Sequence, residues 1–419
     1  MKSEKNIFAV LLSVVLSISI ILSIGLSFVG CTFDPSAFRG GSGSDSGSDE
    51  EEYEGCADRT VYAMDTVMTM TVYHDDEKTA EAALDDAQAE IMRLDALFER
   101  IPTDSSDTDD LENAASDVYR LNETGQTEVS ADTAAVLRTA LDVAADTDGA
   151  FDVTIAPIMD LWGFYGQNYR VPESAEIQKS LHKVNWENII LEDIAADTSG
   201  TTDADTSDKT DAESSDKTDA DTSVAQDTTD TEKNTVKVTL EGGSTIDLGG
   251  IAKGYLSDRI AQIFSEDGII SAIISLGGNV YALGSKTDGG DWTVAVQNPE
   301  DDADYIATVK ISDKAAVTSG SYQRYFEEDG KMYHHIIDPH TGKPAESGLL
   351  SVTIISASGV RADALSTAMF VKGLDSASDY WRRHKDEFDA IFVTTDGELH
   401  ITKGIEKSVE TDVKCSIIT

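Results

Sequence analysis

The chain has 419 residues, 40% hydrophobic and 7% aromatic, which is enough apolar side chain for one large core or two smaller ones. Its 32 Lys and Arg stand against 78 Asp and Glu, and the formal charge of −46 excludes binding along a nucleic-acid backbone, which needs clustered cations. Three cysteines (Cys31, Cys56 and Cys415) are too few for a disulfide framework, and one long apolar run without a sustained heptad excludes collagen, a coiled coil and a polytopic membrane protein.

That run opens the chain. Met1 to Lys5 is charged, Ile7 to Val29 is apolar or small, and Gly30 stands directly before Cys31. A basic start, an apolar centre and a small residue at the cut read as an export signal over residues 1–30. The Gly-Cys ending gives it the form of a bacterial lipoprotein signal, in which Cys31 is lipidated and becomes the new N-terminus; Phe28, where Leu is usual, departs from that form. The other reading is an uncleaved membrane anchor, since the run is long enough to span a bilayer. Either way the rest of the chain is expected at the cell membrane, on its extracytoplasmic face. Residues 31–58 then hold the lipid site and a linker, whose Gly, Ser and acidic stretch at 39–54 reads as a flexible spacer. Cys56 reads as a thiol; a bridge to Cys415 is chemically allowed outside the cell, and no sequence feature requires it.

Residues 59–419 read as one mixed α+β domain. Thr60 to Tyr73 alternates like a strand, and residues 77–100 have helical spacing with Ala83, Ala87, Ile91, Leu94 and Phe98 on one face. Ser130 caps a helix running through Val136, Leu137, Ala140 and Leu141. Apolar alternation at 188–191 and again at 236–240 predicts two strands of one hairpin whose turn has been expanded. The expansion, residues 195–234, is rich in Asp, Thr and Ser and repeats SDKTDA at 207–212 and 215–220. It is expected to be a disordered insertion rather than a linker between domains, because loop-closure entropy grows slowly with length. Strands are predicted at 269–274, 292–296, 305–311 and 350–356, and helices at 253–264 and 362–371.

Four motifs carry chemistry. In Thr245-Ile246-Asp247-Leu248-Gly249-Gly250-Ile251-Ala252-Lys253-Gly254, a strand is expected to end in a carboxylate, followed by glycines and a helix with Lys253 in its first turn. Glycines admit a phosphate close to the backbone and a helix N-terminus favours anions; a plain strand-to-helix turn is the alternative. Val317-Thr318-Ser319-Gly320 precedes a segment containing His334, His335, Asp338 and His340, where a histidine can act as a base that Asp338 orients or activates, or the whole can be a surface hairpin. Zinc-ligand spacing is not evident. Asp363 and Thr367 lie four apart on a predicted helix, so both oxygens share a face suited to Mg²⁺, unless they are a cap and a packed threonine. Gly149-Ala150-Phe151-Asp152-Val153-Thr154 is a ligand loop or a core turn, and Met64-Asp65-Thr66 is similarly open.

Taken together and in this order, these segments, with Gly277-Gly278-Asn279 and Thr341-Gly342, resemble the ApbE family of flavin transferases from about Val61 to Ile401. The resemblance implies a T-fold-like α+β domain that cleaves the pyrophosphate of FAD with Mg²⁺. FMN passes to a Thr or Ser hydroxyl of another protein as a phosphoester, and AMP leaves. Acceptors would be flavin-carrying subunits of sodium-pumping quinone reductase, its ferredoxin-linked relative, or exported FMN-binding-domain proteins. Residue by residue, Asp363, Thr367 and the Gly250 carbonyl would hold Mg²⁺. Met64, Ala150, Phe151, Asp152, Asp247, Lys253 and Ile337 would line the FAD site, and His335 with Asp338 would be catalytic. One departure is Ile101, which falls where the family often has a Tyr against the flavin. An FAD pyrophosphatase and a non-catalytic FAD-binding lipoprotein are the alternative functions.

Overall fold

The computed structural model describes residues 55–101, 115–194 and 236–419. The export signal, Cys31, most of the spacer and the acidic insertion lie outside the described residues.

The stretch read as one strand from Thr60 folds back on itself. β1 (Cys56–Ala63) and β2 (Thr66–Tyr73) are an antiparallel hairpin with Ala63 opposite Thr66. Met64 and Asp65 form its two-residue turn, with φ of 47° and 58°, the left-handed geometry that matches strand twist. The alternation carries no break because both arms bury one face on the same core, through Val61 and Ala63 and through Met68, Met70 and Val72. The helix expected next is α1 (Glu77–Phe98), whose Ala80, Ala83, Leu84, Ala87, Ile91, Leu94 and Phe98 are buried at 3.6-residue spacing. Short α2 (Asp117–Thr124) and β3 (Gln126–Val129) precede α3 (Ala131–Asp146). Ser130 caps α3 as expected, its hydroxyl accepting from the Thr133 N–H at 3.2 Å. Helices α4 (Ala156–Trp162) and α5 (Ser174–Leu181) follow.

β4 (Ile189–Asp193) and β5 (Val236–Leu240) form the expected hairpin, with Ile189 opposite Leu240 and Asp193 opposite Val236, and β3 pairs on the other side of β5. The insertion therefore leaves from and returns to two residues that face each other. Each doubling of loop length costs about 0.6 kcal/mol, so replacing residues 195–234 by a short turn is expected to stabilise the fold by about 2 kcal/mol. Equilibrium urea unfolding of the two proteins measures this; a loss of stability would mean that the insertion contributes contacts.

The remaining elements are α6 (Ala252–Glu266), β6 (Ala272–Leu276), β7 (Asn279–Leu283), β8 (Trp292–Asn298), β9 (Asp301–Ile311), β10 (Lys314–Gly320), β11 (Tyr325–Glu328) and β12 (Lys331–His334). They continue with β13 (Ile337–Asp338), β14 (Lys343–Pro344), β15 (Leu349–Ser356), α7 (Gly359–His384), β16 (Phe388–Thr394), β17 (Leu399–Thr402), β18 (Val409–Glu410) and β19 (Cys415–Ile418). Nine strands make one sheet in the order β1-β2-β6-β7-β10-β15-β16-β17-β19, antiparallel except for β17 with β19. One face carries α1, α6 and α7 over the main core. The other packs Ala282, Ala316, Ile355, Ile391 and Val393 against Trp292, Val294, Val296, Val309 and Ile311 of the small β18-β9-β8 sheet. Cys56 and Cys415 lie on the two opposite edge strands of the large sheet, so no bridge joins them.

Helices α6 and α7 cross at two glycines. A Cβ on Gly254 would fall 2.3 Å from the Gly359 carbonyl oxygen and 2.6 Å from the Asp363 Cβ, so only glycine permits this approach. The half-buried Asp258 carboxylate of α6 accepts the Gly359 N–H at 2.6 Å and the Val360 N–H at 3.0 Å, capping α7; desolvation pushes its pKa up to about 6.

Candidate active site

The crossing places the carboxylate of Asp363 on the first turn of α6. Asp363 is buried, and its Oδ2 accepts the Gly254 N–H at 2.8 Å. Among the described residues Oδ1 accepts no hydrogen bond. One turn further along α7, Thr367 lies half-buried on the same face. A Cβ built on Gly250 would sit 3.9 Å from Thr367 Oγ1 and 3.2 Å from the Phe151 ring. The glycine turn, the loop bearing Phe151 and the Asp363–Thr367 face of α7 thus meet at one point.

The segment before that turn differs from expectation. Residues 245–248 belong to no strand or helix. The backbone groups of Ile246 are taken by Asn122, whose Nδ2 donates to the carbonyl at 2.9 Å and whose Oδ1 accepts the N–H at 2.7 Å. The Asp247 N–H donates to the Val153 carbonyl at 2.8 Å, which ties the glycine turn to the 149–154 loop. Asp247 Oδ1 accepts the Gly249 N–H at 2.8 Å, and Oδ2 meets Arg100 at 3.2 Å. Lys253 extends from the first turn of α6, its Nζ 3.4 Å from the Gly249 carbonyl.

Ala150 and Phe151 are buried in the main core. Asp152 is also buried and turned inward: Oδ1 accepts from the Thr154 N–H at 2.8 Å and its hydroxyl at 2.7 Å, and Oδ2 accepts from the Trp186 N–H at 2.9 Å. Burial pushes its carboxyl above the usual range. Asp152 shapes the loop that presents Phe151. Met64 stands at the hairpin tip, packed against the main core, its N–H donating to Asp95 Oδ1 at 2.9 Å.

His335 and Asp338 do not pair as expected. Asp338 belongs to the β13–β14 turn, where Oδ1 accepts from the His340 N–H at 2.9 Å and approaches its Nδ1 at 3.1 Å, and Oδ2 accepts from the Thr341 hydroxyl at 2.9 Å. A Pro and a Gly one turn apart draw this carboxylate into local turn bonds. His335 is oriented instead by Arg324, whose carbonyl lies 3.1 Å from Nδ1 and also accepts the His335 N–H at 3.0 Å. Half-buried beside Phe164, with Lys253 within electrostatic reach, the imidazole has its pKa pulled down to about 4, chiefly by burial. Ile337 is buried with Ile158, Trp162 and Phe164 under this segment.

Sequence reasoning missed Arg100, Arg324 and Asn122, because each acts on a residue more than ten positions away and none has a motif. Ile101 is exposed, and the nearby aromatic is Tyr165, whose ring lies 4.7 Å below the Arg100 guanidinium; Arg100 also pairs with Asp160 at 2.9 Å. A cleft of about 660 Å³ is lined by Gly277, Gly278, Tyr322, Gln323 and the β8–β9 turn, and no residue expected to hold FAD faces it. Glu300, Asp301 and Asp302 line that cleft, a negative wall that would repel a diphosphate.

Among the described residues no three His, Cys, Asp or Glu side chains gather as a metal cluster. The donor set at the crossing is of another kind: the Asp363 carboxylate and the Thr367 hydroxyl, with the Gly250 backbone beside them. Such mixed hard oxygens fit Mg²⁺, which keeps waters and substrate phosphate for its other positions.

The chain belongs to the ApbE family, whose model matches residues 64–392. It is 33% identical to the FAD:protein FMN transferase of Klebsiella pneumoniae over 256 residues, 60% of this chain and 66% of that protein. It is 31% identical to the enzyme of the same name from Salmonella typhimurium over 258 residues, 61% of this chain and 63% of that one. The chain thus spans just under two thirds of the length of these relatives. The crystal structure of the ApbE protein from Thermotoga maritima aligns with a TM-score of 0.64, over 84% of this chain and 99% of that one, at 29% identity.

Proposed function

We propose that the chain is an FAD:protein FMN transferase, on the strength of family membership and of the one point where Asp363, Thr367, Gly250 and Phe151 converge. FAD would lie with its diphosphate at the glycine turn, near the N-terminus of α6 and the Lys253 ammonium, which together offset phosphate charge in a chain of −46. Asp363, Thr367 and the Gly250 carbonyl would hold Mg²⁺, which when bound neutralises charge on the diphosphate. His335 takes the proton of an acceptor Thr or Ser hydroxyl at Nε2. The hydroxyl oxygen bonds to the phosphorus of the FMN half, the bond to the bridging oxygen breaks, and AMP leaves with that oxygen. This chemistry needs positioning and charge compensation more than covalent help, which is what the rigid helix crossing supplies.

The test is incubation with FAD, Mg²⁺ and a purified exported FMN-binding-domain protein. Flavin fluorescence on the denatured acceptor is the expected result. Free FMN without labelling would make the protein a pyrophosphatase, and unchanged FAD would make it a binding protein. The variant lacking residues 195–234 is expected to label the acceptor as the full chain does, because the hairpin closes without it.

The substrate is expected outside the cytoplasm, where Cys31 anchors the enzyme by lipid. Full-length protein expressed in bacteria should partition into the detergent phase of a cloud-point extraction, and Cys31→Ser should not be acylated. Incorporation of labelled palmitate into Cys31→Ser would refute the anchor.

A further inference from the structure

We propose that Ser319 and Ser366 are positioning residues that fix the hydroxyl proton of Thr367 and so aim its lone pairs at a divalent cation. This rests on the reading of Thr367 as a cation ligand and adds the device that makes it one. Three hydroxyls form a chain between β10 and α7: Ser366 Oγ lies 2.7 Å from Ser319 Oγ, which lies 3.2 Å from Thr367 Oγ1. Each hydroxyl has one proton. The direction of the chain is set at its far end, where Ser366 Oγ lies 2.8 Å from the Asp363 carbonyl oxygen. A carbonyl only accepts, so the Ser366 proton is committed there. Ser319 must then donate to Ser366, and the Ser319–Thr367 contact is made only if Thr367 donates to Ser319. The Thr367 proton is thereby turned toward β10, and both lone pairs of Oγ1 are left on the side where Gly250 and Asp363 lie.

The geometry has a reason in the sheet. β10 presents Ser319 from the face that also carries Val317 to the helix layer, and α7 presents Ser366 and Thr367 as neighbours that straddle it. Without the chain, a free Thr367 rotor would spend part of its time with the proton directed at the cation. Groups behind a metal ligand that fix its orientation typically change affinity 10- to 100-fold when removed.

Ser319→Ala is therefore expected to weaken Mn²⁺ binding about tenfold, measured by electron paramagnetic resonance on the FAD-free protein. Ser366→Ala is expected to do the same for a different reason: Ser319, having lost its acceptor, turns its proton onto Thr367 and occupies a lone pair. The two losses should not add, since either one breaks the same chain, and the double variant should bind about as weakly as each single one. Ser319→Thr, which keeps the hydroxyl, should restore affinity. Circular dichroism melts identify any variant that fails to fold, in which case Ser319→Thr and Ser366→Ala carry the test. Thr367→Val separates the two levels of the argument. If Thr367→Val binds Mn²⁺ as wild type does, the ligand reading itself fails. If Thr367→Val loses binding while Ser319→Ala and Ser366→Ala keep wild-type affinity, or lose it additively, the chain of hydroxyls is refuted.

Discussion

Asp363→Ala is expected to lower flavin transfer about 10³-fold or more at saturating FAD, because in the proposed function the divalent ion it would hold contributes several kcal/mol of charge compensation at a transferring phosphoryl group. The side chain has two tasks that one substitution would confuse. Its Oδ2 satisfies the buried Gly254 N–H at 2.8 Å, which fixes the first turn of α6 against α7. Losing that partner leaves a buried donor unpaired, at a cost of about 1–3 kcal/mol in stability. Its negative charge faces the point shared by Gly250 and Thr367. Asp363→Asn separates the tasks, since the amide oxygen can still accept from Gly254 while the charge is gone. The asparagine variant should melt near the wild-type temperature, need far more Mg²⁺ for half-maximal rate, and transfer flavin at close to the alanine variant's rate. Acceptor labelling at graded Mg²⁺ measures this. An asparagine variant that matched wild type in rate and Mg²⁺ dependence would show that the cation, if one is used, is held elsewhere.

The Asp363–Thr367 pair was legible in the sequence because a helix repeats every 3.6 residues, so a spacing of four is enough to put both side chains on a shared face. The period of α1 and the hairpin around the acidic insertion were legible for the same reason: both patterns are local. What escaped is non-local. The Met64–Asp65 turn is invisible to alternation, because both arms of the hairpin bury the same face and neither turn residue is a glycine. The expected partnership of His335 and Asp338 failed because three residues of separation mean nothing in a turn. Asp338 is captured by His340 and Thr341 beside it, and the carbonyl that orients His335 comes from Arg324 on the far side of the β11–β12 hairpin. The resemblance places Asp152 at the FAD site, and the fold uses its two oxygens to hold its own loop. The resemblance named the candidate residues; the tertiary hydrogen bonds show which of them hold their own loops, as Asp152 and Asp338 do.

His335→Gln is expected to reduce transfer by about 10²- to 10⁴-fold while leaving FAD binding within a few-fold of wild type, the range for loss of a positioned base. The Arg324 carbonyl can only accept, so Nδ1 carries the ring proton and Nε2 carries the lone pair, which in the proposed function would take the proton of the acceptor hydroxyl. With its pKa held down to about 4, chiefly by burial, the imidazole of the free enzyme stays neutral well below the ordinary value of 6.5. The acid limb of kcat/KM, which reports the free enzyme, should therefore fall near pH 4 rather than near 6.5. A diphosphate bound near Nε2 would favour the protonated ring and so make it a stronger base in the complex. The same depression sets a sign for stability. As pH falls below 6.5 the unfolded chain takes up a proton that the folded chain refuses until about pH 4. The contribution is full above 6.5, is lost as pH falls toward 4, and amounts to on the order of 3 kcal/mol. His335→Gln has no such group, so the gap in unfolding free energy between wild type and variant should shift by that amount between pH 7 and pH 4, in the variant's favour. Denaturant unfolding at the two pH values, beside the rate profile, reads both consequences from one residue. A limb near 6.5 with no change in the stability gap would mean that the ring is solvated, and a glutamine variant transferring at the wild-type rate would remove His335 from the chemistry.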